Sequence, residues 1–314
     1  MADNICFADN KLYNTWNGYL RRRFGCKVIK IALNGGFTCP NIDGTKGRGG
    51  CTYCSSSGSG DFAGSCLYSI EKQFETVKER MNLKWKSGKY IPYFQAHTNT
   101  YAPAEVLREK FEPVLSRDDV VGISIATRAD CLESDVMEYL SELNERTYLT
   151  VELGLQSIFD KTGERINRCH TYDEFLEGYE ALKLRGINIC VHLIDGLPDE
   201  TDEMMIESAR AVAKLRPHSI KLHLLHVLKG TVMEQELKDG KLRLLDREEY
   251  IDIIVRQLEV LPPDTVIQRL TGDGGRKDLI GPLWSLKKFE VLNGIDRRLR
   301  EGNTYQGRLF EPQR

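Results

Sequence analysis

The chain has 314 residues, 41% of them hydrophobic and 29% charged, with a formal net charge of −2. These values are ordinary for a globular protein and exclude collagen-like and low-hydrophobicity disordered classes. No apolar run approaches the roughly 20 residues of a membrane-spanning helix. The first stretch, "MADNICFADNKLYN", lacks a basic region followed by an apolar one, so no export signal is expected. Nine cysteines, an odd number without a disulfide-scaffold spacing, favour a reducing compartment. A cytoplasmic location is the expectation.

Charge is unevenly placed. Residues 11–50 hold Lys11, Arg21, Arg22, Arg23, Lys27, Lys30, Lys46 and Arg48 against Asp43 alone, eight cations to one anion or +7, which leaves −9 for the remainder. Such a segment suits a polyanion such as RNA. A solvated basic face is an equal reading.

Short β-rich apolar runs fall at 27–33, 90–96, 120–126, 148–155, 187–194 and 219–226, and after the first gap they start 30, 28, 39 and 32 residues apart. That is the size of a βαβ unit. Helical patterns fill the gaps: 69–85, a segment after Pro103, 134–146, a segment from Thr171 with Glu174 in capping-box spacing and Gly186 past its end, and one from 201 that Pro217 stops. Six strands alternating with helices predict a parallel sheet covered by helices. An open doubly wound sheet and a partial barrel both fit that count. Residues 246–314 break the rhythm, with a helix near 246–261, a candidate strand at 265–270 and a helix near 283–301. They read as a C-terminal extension packed on a domain of residues 1–245.

The loop 34–68 follows the first strand, at the sheet edge where parallel α/β proteins place their sites. Its stretch "FTCPNIDGTKGRGGCTYCSSSGSG" carries Cys39, Cys51 and Cys54 in a C-x11-C-x2-C spacing, with five glycines between Cys39 and Gly60. Buried cysteines usually sit in apolar runs; these do not. Three thiolates can hold three irons of a [4Fe–4S] cluster and leave the fourth for a small molecule. Zinc is the alternative, since Cys66 follows Cys54 with eleven residues between and would complete a four-thiolate site. Unliganded thiols are the third reading, with Cys66 packing at a helix entrance.

Several segments in order, "CPNIDGTKGRGGCTYC", "YFQAHTNTYAP", "ISIATRADCL", "VELGLQS", "NRCHTYDEF" and "LIDGLPDET", resemble the YhcC/YtqA-like group of radical SAM proteins, relatives of the radical SAM portion of the Elongator catalytic subunit. The resemblance covers about residues 13–300. It departs from the commonest C-x3-C-x2-C spacing by its longer first gap, keeps an aromatic residue, Tyr53, before the last cysteine, and contains no acetyltransferase portion. It implies a partial (β/α)6 barrel with a [4Fe–4S] cluster on Cys39, Cys51 and Cys54. S-adenosyl-L-methionine would bind the open iron, and its reductive cleavage would give a 5′-deoxyadenosyl radical that abstracts a substrate hydrogen.

Strand parity puts Val151, Leu153 and Leu155 on one face of "VELGLQS" and Glu152, Gly154 and Gln156 on the other, the polar set facing the barrel interior. The same count groups Gln95 with His97, Ser124 with Arg128, and His192 with Ile194. By resemblance, Gln95 faces the methionine end of SAM. Glu152, Gln156 and Arg168 meet its ribose and carboxylate, and Ile194 of "LIDGLP" lies by the adenine. The bland alternatives are an ion-paired Glu152, an Arg168–Glu164 salt bridge, and interior histidines at 97, 192 and 223. Cys131, Cys169 and Cys190 read as structural. "GDGGRKD" at 272–278 lacks the ending of a phosphate-binding loop and reads as a surface turn or a loop over substrate.

The resemblance further implies tRNA wobble-uridine modification at C5, as a carboxymethylaminomethyl to aminomethyl step, with a tRNA methyltransferase acting downstream and flavodoxin or ferredoxin as electron donor. Residues 11–50 with Lys287, Lys288, Arg297, Arg298 and Arg300 would meet the phosphates of the anticodon arm, and an unpaired wobble base can be presented to a deep site. Radical chemistry on a tetrapyrrole or another small molecule is the second enzyme reading. A zinc-stabilised RNA-binding module without catalysis is the reading from another class.

Overall fold

The structure, a computed structural model, describes residues 7–58, 60, 63–85, 88–272 and 275–312. Six strands fall where the apolar runs predict them: β1 (Val28–Leu33), β2 (Lys89–Phe94), β3 (Gly122–Thr127), β4 (Tyr148–Gln156), β5 (Asn188–Asp195) and β6 (Ser219–Leu224). Three further strands follow, β7 (Val227–Leu228), β8 (Val266–Arg269) and β9 (Leu279–Gly281). The main sheet has seven strands in the order β1-β2-β3-β4-β5-β6-β8, while β7 and β9 form a separate antiparallel pair. The β1–β2, β2–β3, β3–β4 and β6–β8 ladders are parallel. This sequential order is that of the partial barrel and excludes the doubly wound alternative, whose strand order reverses partway. The seventh strand comes from residues 246–314: β8 pairs with β6 through main-chain hydrogen bonds.

The chain divides into two compact units, one of Leu20–Leu155 with Asn167–Cys190, the other of Met1–Tyr19, Gln156–Ile166 and Val191–Arg314. In the first, the helices are α1 (Trp16–Phe24, which begins in the other unit), α2 (Pro40–Asp43), α3 (Ile70–Asn82), α4 (Ala104–Leu115) and α5 (Ser134–Arg146). The period-2 pattern of the strands sends Leu33, Phe94, Ile123, Ile125, Val151 and Leu153 to one face, where all are buried. Phe94 meets Phe111 of α4 at 4.4 Å between ring centroids, and Phe111 stacks on Tyr139 of α5 at 6.3 Å. Each such ring contributes about 1.5–3 kcal/mol by burial. The opposite face carries Lys30, Tyr93, Ser124, Thr150 and Glu152.

The second unit holds α6 (Asp160–Arg165), and the first holds α7 (Tyr172–Lys183), whose Thr171–Glu174 capping box forms as the spacing predicts. Gly186 beyond it is left-handed. The remaining helices, α8 (Asp202–Leu215), α9 (Val232–Lys238), α10 (Arg247–Val260) and α11 (Lys288–Glu301), belong to the second unit. Helix α10 opens on a second capping box, Asp246 with Glu249, and is buried on most sides between α8 and α11. There Asp195 at the end of β5 is fully enclosed and accepts a hydrogen bond from Gln257 of α10 at 2.6 Å. Burial pushes its carboxyl up to about 8; the Gln257 bond only partly opposes this.

The C-terminal cations are engaged nearby: Lys287 pairs with Glu290 at 3.0 Å, Arg297 with Glu301 at 4.0 Å and Arg298 with Glu248 at 3.1 Å, while Arg300 donates to the Asn10 carbonyl. Among the described residues, no helix is long and apolar enough to cross a membrane. Asp273 and Gly274 of the 272–278 segment lie outside the described residues.

Candidate active site

The cysteine loop leaves the C-terminal end of β1 and is folded by its own backbone. Cys39 is the N-cap of the one-turn helix α2, where Pro40 at the first position costs no hydrogen bond. The Cys39 carbonyl accepts from Ile42 N–H at 2.8 Å, and Pro40's carbonyl accepts from Lys46 and Gly47. Cys54 N–H closes a tight turn onto the Cys51 carbonyl at 2.9 Å. All three thiols are half-buried.

Asn41, between Cys39 and Cys51, is completely enclosed. Its Nδ2 faces the Cys51 sulfur at 3.5 Å and the carbonyl oxygens of Asn167 at 2.6 Å and Arg168 at 3.1 Å, while its Oδ1 is buried without a hydrogen-bond partner. Asn167 answers by donating to the carbonyls of Arg48 and Gly50. A Cβ at Gly47 would stand 2.7 Å from the Cys169 sulfur, so that side chain would have to move to admit any other residue. Gly58 is pinned in the same way under His97, whose ring a Cβ would approach to 2.2 Å.

Tyr53 is hydrogen-bonded to the Cys51 sulfur, and burial of its phenol raises its pKa, with the neighbouring Cys51 and Cys54 adding to the rise. Burial also pushes the Cys51 thiol up, opposed by the Arg128 charge and by hydrogen bonds from Tyr53 and Asn41. That opposition matters because the thiolate is the metal ligand.

Arg128, just past β3, organises the surroundings of the loop. Its guanidinium forms a fork on Asp130 at 2.9 and 2.8 Å and donates to the carbonyls of Arg168 at 2.7 Å and Cys169 at 3.2 Å. Lys46 of the loop reaches Asp130 at 2.7 Å and Glu174 at 3.3 Å. Burial would raise the Asp130 carboxyl, but the Arg128 and Lys46 bonds win and hold it at about 2. Cys131, buried beside it, is pushed up to about 12 by burial and the Asp130 charge.

The remaining candidates divide between the units. In the first, Gln95 follows β2, half-buried, its N–H on the Leu33 carbonyl. Glu152 is fully buried on the inner face of β4 and pairs with Lys30 of β1, whose ammonium also lies 4.8 Å from the Tyr93 ring centre. Arg168 is 1% exposed and donates from Nε to the His170 carbonyl and from Nη1 to the Leu155 carbonyl, both at 2.8 Å. In the second unit, Gln156 is half-buried with a left-handed backbone, φ 64°. Ile194 is half-buried on the face of β5 that also carries His192, and His192 and His223 have ring centres 5.1 Å apart.

Asn41, Lys30 and Asn167 escape a reading of the sequence because each works through a carbonyl or carboxylate that is distant in the chain. Asn41 has one local signal, its place two residues after a cysteine and at the start of a Pro-initiated turn.

Three half-buried thiols on a glycine-rich backbone, with Asn41 and Tyr53 donors turned to one sulfur, fit an iron–sulfur cluster, whose sulfurs favour hydrogen-bond donors. Comparison with known proteins agrees with that chemistry. The Radical SAM superfamily model matches residues 42–212 and the Radical SAM C-terminal domain matches residues 217–301. YtqA of Bacillus subtilis is 54% identical over 301 residues, spanning 96% of this chain and 94% of its own. YhcC of Escherichia coli K12 is 35% identical over 307 residues, spanning 96% of this chain and 97% of its own. The solved archaeal Elp3 of Methanocaldococcus infernus shares the fold with a TM-score of 0.67 and 16% identity, covering 89% of this chain and 64% of that one. The chain belongs to the radical SAM superfamily and is a radical SAM enzyme similar to YtqA and YhcC.

Proposed function

We propose that Cys39, Cys51 and Cys54 hold the [4Fe–4S] cluster, and that the enzyme remodels the C5 side chain of a tRNA wobble uridine, taking carboxymethylaminomethyl to aminomethyl by breaking the bond from the amine nitrogen to the carboxymethyl carbon and releasing the two-carbon carboxylate fragment. The observation that carries the cluster assignment is the Asn41–Tyr53 pair, which turns two donors to the Cys51 sulfur within a loop braced by Asn167 and Arg128. When bound, cluster and SAM together supply the one-electron cleavage that generates a 5′-deoxyadenosyl radical.

The chain's own residues bind and orient. Tyr53, Gln95, Glu152, Gln156, Arg168 and Ile194 are assigned to SAM. Arg168 donates to two backbone carbonyls, so part of its role is to hold the 168–170 turn and the end of β4 in place. Glu152 is fully buried and paired with Lys30. The protein's contribution to such chemistry is orientation and exclusion of side reactions.

The substrate reading is supported by the resemblance of the whole chain to its group and by the basic segment 11–50. Flavodoxin or ferredoxin would supply the electron, and a tRNA methyltransferase would act on the product. The test is to load the enzyme anaerobically, add tRNA from a strain lacking it, and analyse the nucleosides by mass spectrometry. Disappearance of the carboxymethylaminomethyl nucleoside with appearance of the aminomethyl one is the expected result. Unchanged nucleosides, with SAM still cleaved, would overturn the substrate and leave the cluster assignment standing.

A further inference from the structure

The basic segment does not act as one patch. Lys30 is committed to Glu152 and Lys46 to Asp130 and Glu174, on the inner face and the loop side of the first unit. The rest of that unit's share of the segment, apart from Arg48, collects elsewhere. Arg21, Arg22 and Arg23 fill the last turn of α1, all exposed. Gly25, in the left-handed region, turns the chain, and Lys27 then leads into β1. These residues therefore stand at the N-terminal edge of the sheet, the edge opposite the cysteine loop.

A second segment arrives at the same edge. Helix α3 ends at Asn82, and the backbone N–H groups of Lys84 and Trp85 both close on the Met81 carbonyl, at 3.0 and 2.9 Å. Trp85 is thereby fixed at the surface, 39% exposed, with the Lys27 ammonium 4.5 Å and the Lys84 ammonium 5.5 Å from its ring. Lys89, exposed at the start of β2, donates its N–H to the Lys27 carbonyl at 2.9 Å and so locks the two segments together. Lys27 and Lys84 flank one exposed indole, and Arg21, Arg22, Arg23 and Lys89 are exposed on the segments that lead to this edge.

Cations around a held aromatic ring make the arrangement that binds nucleic acid without reading sequence: phosphates take the charges and a base stacks on the ring. Strand β1 separates this edge from the cysteine loop by six residues, roughly 20 Å at the usual rise. An electron donor docked here would be remote from the cluster loop. An RNA is long enough to touch both edges. We infer that the Arg21–Arg23/Trp85 edge is a second RNA-contacting surface, which grips the substrate through its phosphates and an unpaired base away from the reacting one. The inference rests on the tRNA reading above.

The test measures binding of a tRNA transcript to the cluster-loaded full-length enzyme by fluorescence anisotropy over a series of KCl concentrations. Lys84→Gln/Lys89→Gln should weaken binding about ten-fold and reduce the slope of log affinity against log salt by about 1.5. Trp85→Ala should weaken binding about five-fold or more with the slope unchanged. Arg22→Gln/Arg23→Gln gives an independent variant should either of the others fail to fold. RNA-independent SAM cleavage should stay at the wild-type rate in all of them.

Wild-type binding with the same affinity and slope in every folded variant would overturn this surface alone. Absence of tRNA binding by the wild type would overturn the tRNA reading and this inference with it. Variants that lose binding to phosphatidylglycerol vesicles while keeping RNA binding would assign the edge to a membrane and overturn the inference.

Discussion

The loop after β1 and the edge before it are made of similar material: polar, glycine-containing and cationic. After β1, Lys46 is clamped by two carboxylates and Asn41 bonds to carbonyls that return from more than a hundred residues away. Before β1, the arginines of α1 are exposed and Lys27 faces an indole. Composition alone does not separate a built site from an open face. What separates them is which strand ends come back to meet them, and at the C-terminal edge these bring Arg128, Asp130, Asn167 and Arg168.

The sharpest break in that comparison is Cys51→Ala. It should abolish assembly of a four-iron cluster and cut SAM cleavage by at least about a hundred-fold, while circular dichroism stays native. Retention of a full four-iron cluster in this variant would falsify the ligand assignment.

The next effect contrasts two lysines three residues apart. Lys30→Met strands the buried Glu152 charge and should cost about 3 kcal/mol of unfolding free energy. Lys27→Met, which loses a half-buried cation facing the Trp85 ring, should cost less, about 0.5–1 kcal/mol. Denaturant titration of both reads the difference, and Glu152→Gln placed with Lys30→Met should recover most of the loss. Equal costs for the two lysines would mean that Glu152 is not held by Lys30.

Two carboxyls give opposite pH signatures. Asp130, held at about 2, contributes stability that is present above its ordinary pKa and is lost as pH falls toward 2. Asp195, pushed up to about 8, binds its proton more tightly in the folded state. Its contribution is full below its ordinary pKa and disappears as pH rises through 8. Asp195→Asn should therefore flatten the fall in thermal midpoint on the alkaline side. It should also stabilise the protein at pH 8 by a few kcal/mol, since each tenfold change in proton affinity is worth about 1.4 kcal/mol. An unchanged alkaline limb would remove Asp195 as its cause.

The smallest effect is that of Asn41→Ala, which strips a donor from the buried carbonyls of Asn167 and Arg168 and should cost about 1–3 kcal/mol. It should also slow cluster assembly without preventing it, followed by the rise of the visible absorption band.

Much of the fold was legible because it is local. The period-2 alternation of "VELGLQS" places Val151, Leu153 and Leu155 outward and Glu152 inward, and the Thr171–Glu174 spacing forms the capping box it predicts. The cysteine loop stood out because thiols on a polar, glycine-rich segment have no packing explanation. The rest depended on long-range pairing. That β8 would join β6 as a seventh strand is invisible in the pattern of 265–270, since a four-residue strand gains its meaning from its partner. Arg168 resembles any exposed arginine in sequence, yet it is buried because two carbonyls, one thirteen residues away, are waiting for its guanidinium. The basic count of residues 11–50 was visible, but its split between the ion pairs of Lys30 and Lys46 and the exposed edge at α1 was not.

Whether the loop after β1 carries a cluster that cleaves SAM is tested most directly by anaerobic reconstitution with iron and sulfide, reduction in the presence of SAM, and quantification of 5′-deoxyadenosine. The expected result is product that requires the reconstituted cluster and vanishes in Cys51→Ala. A protein that instead retains stoichiometric zinc and forms no 5′-deoxyadenosine would contradict the assignment.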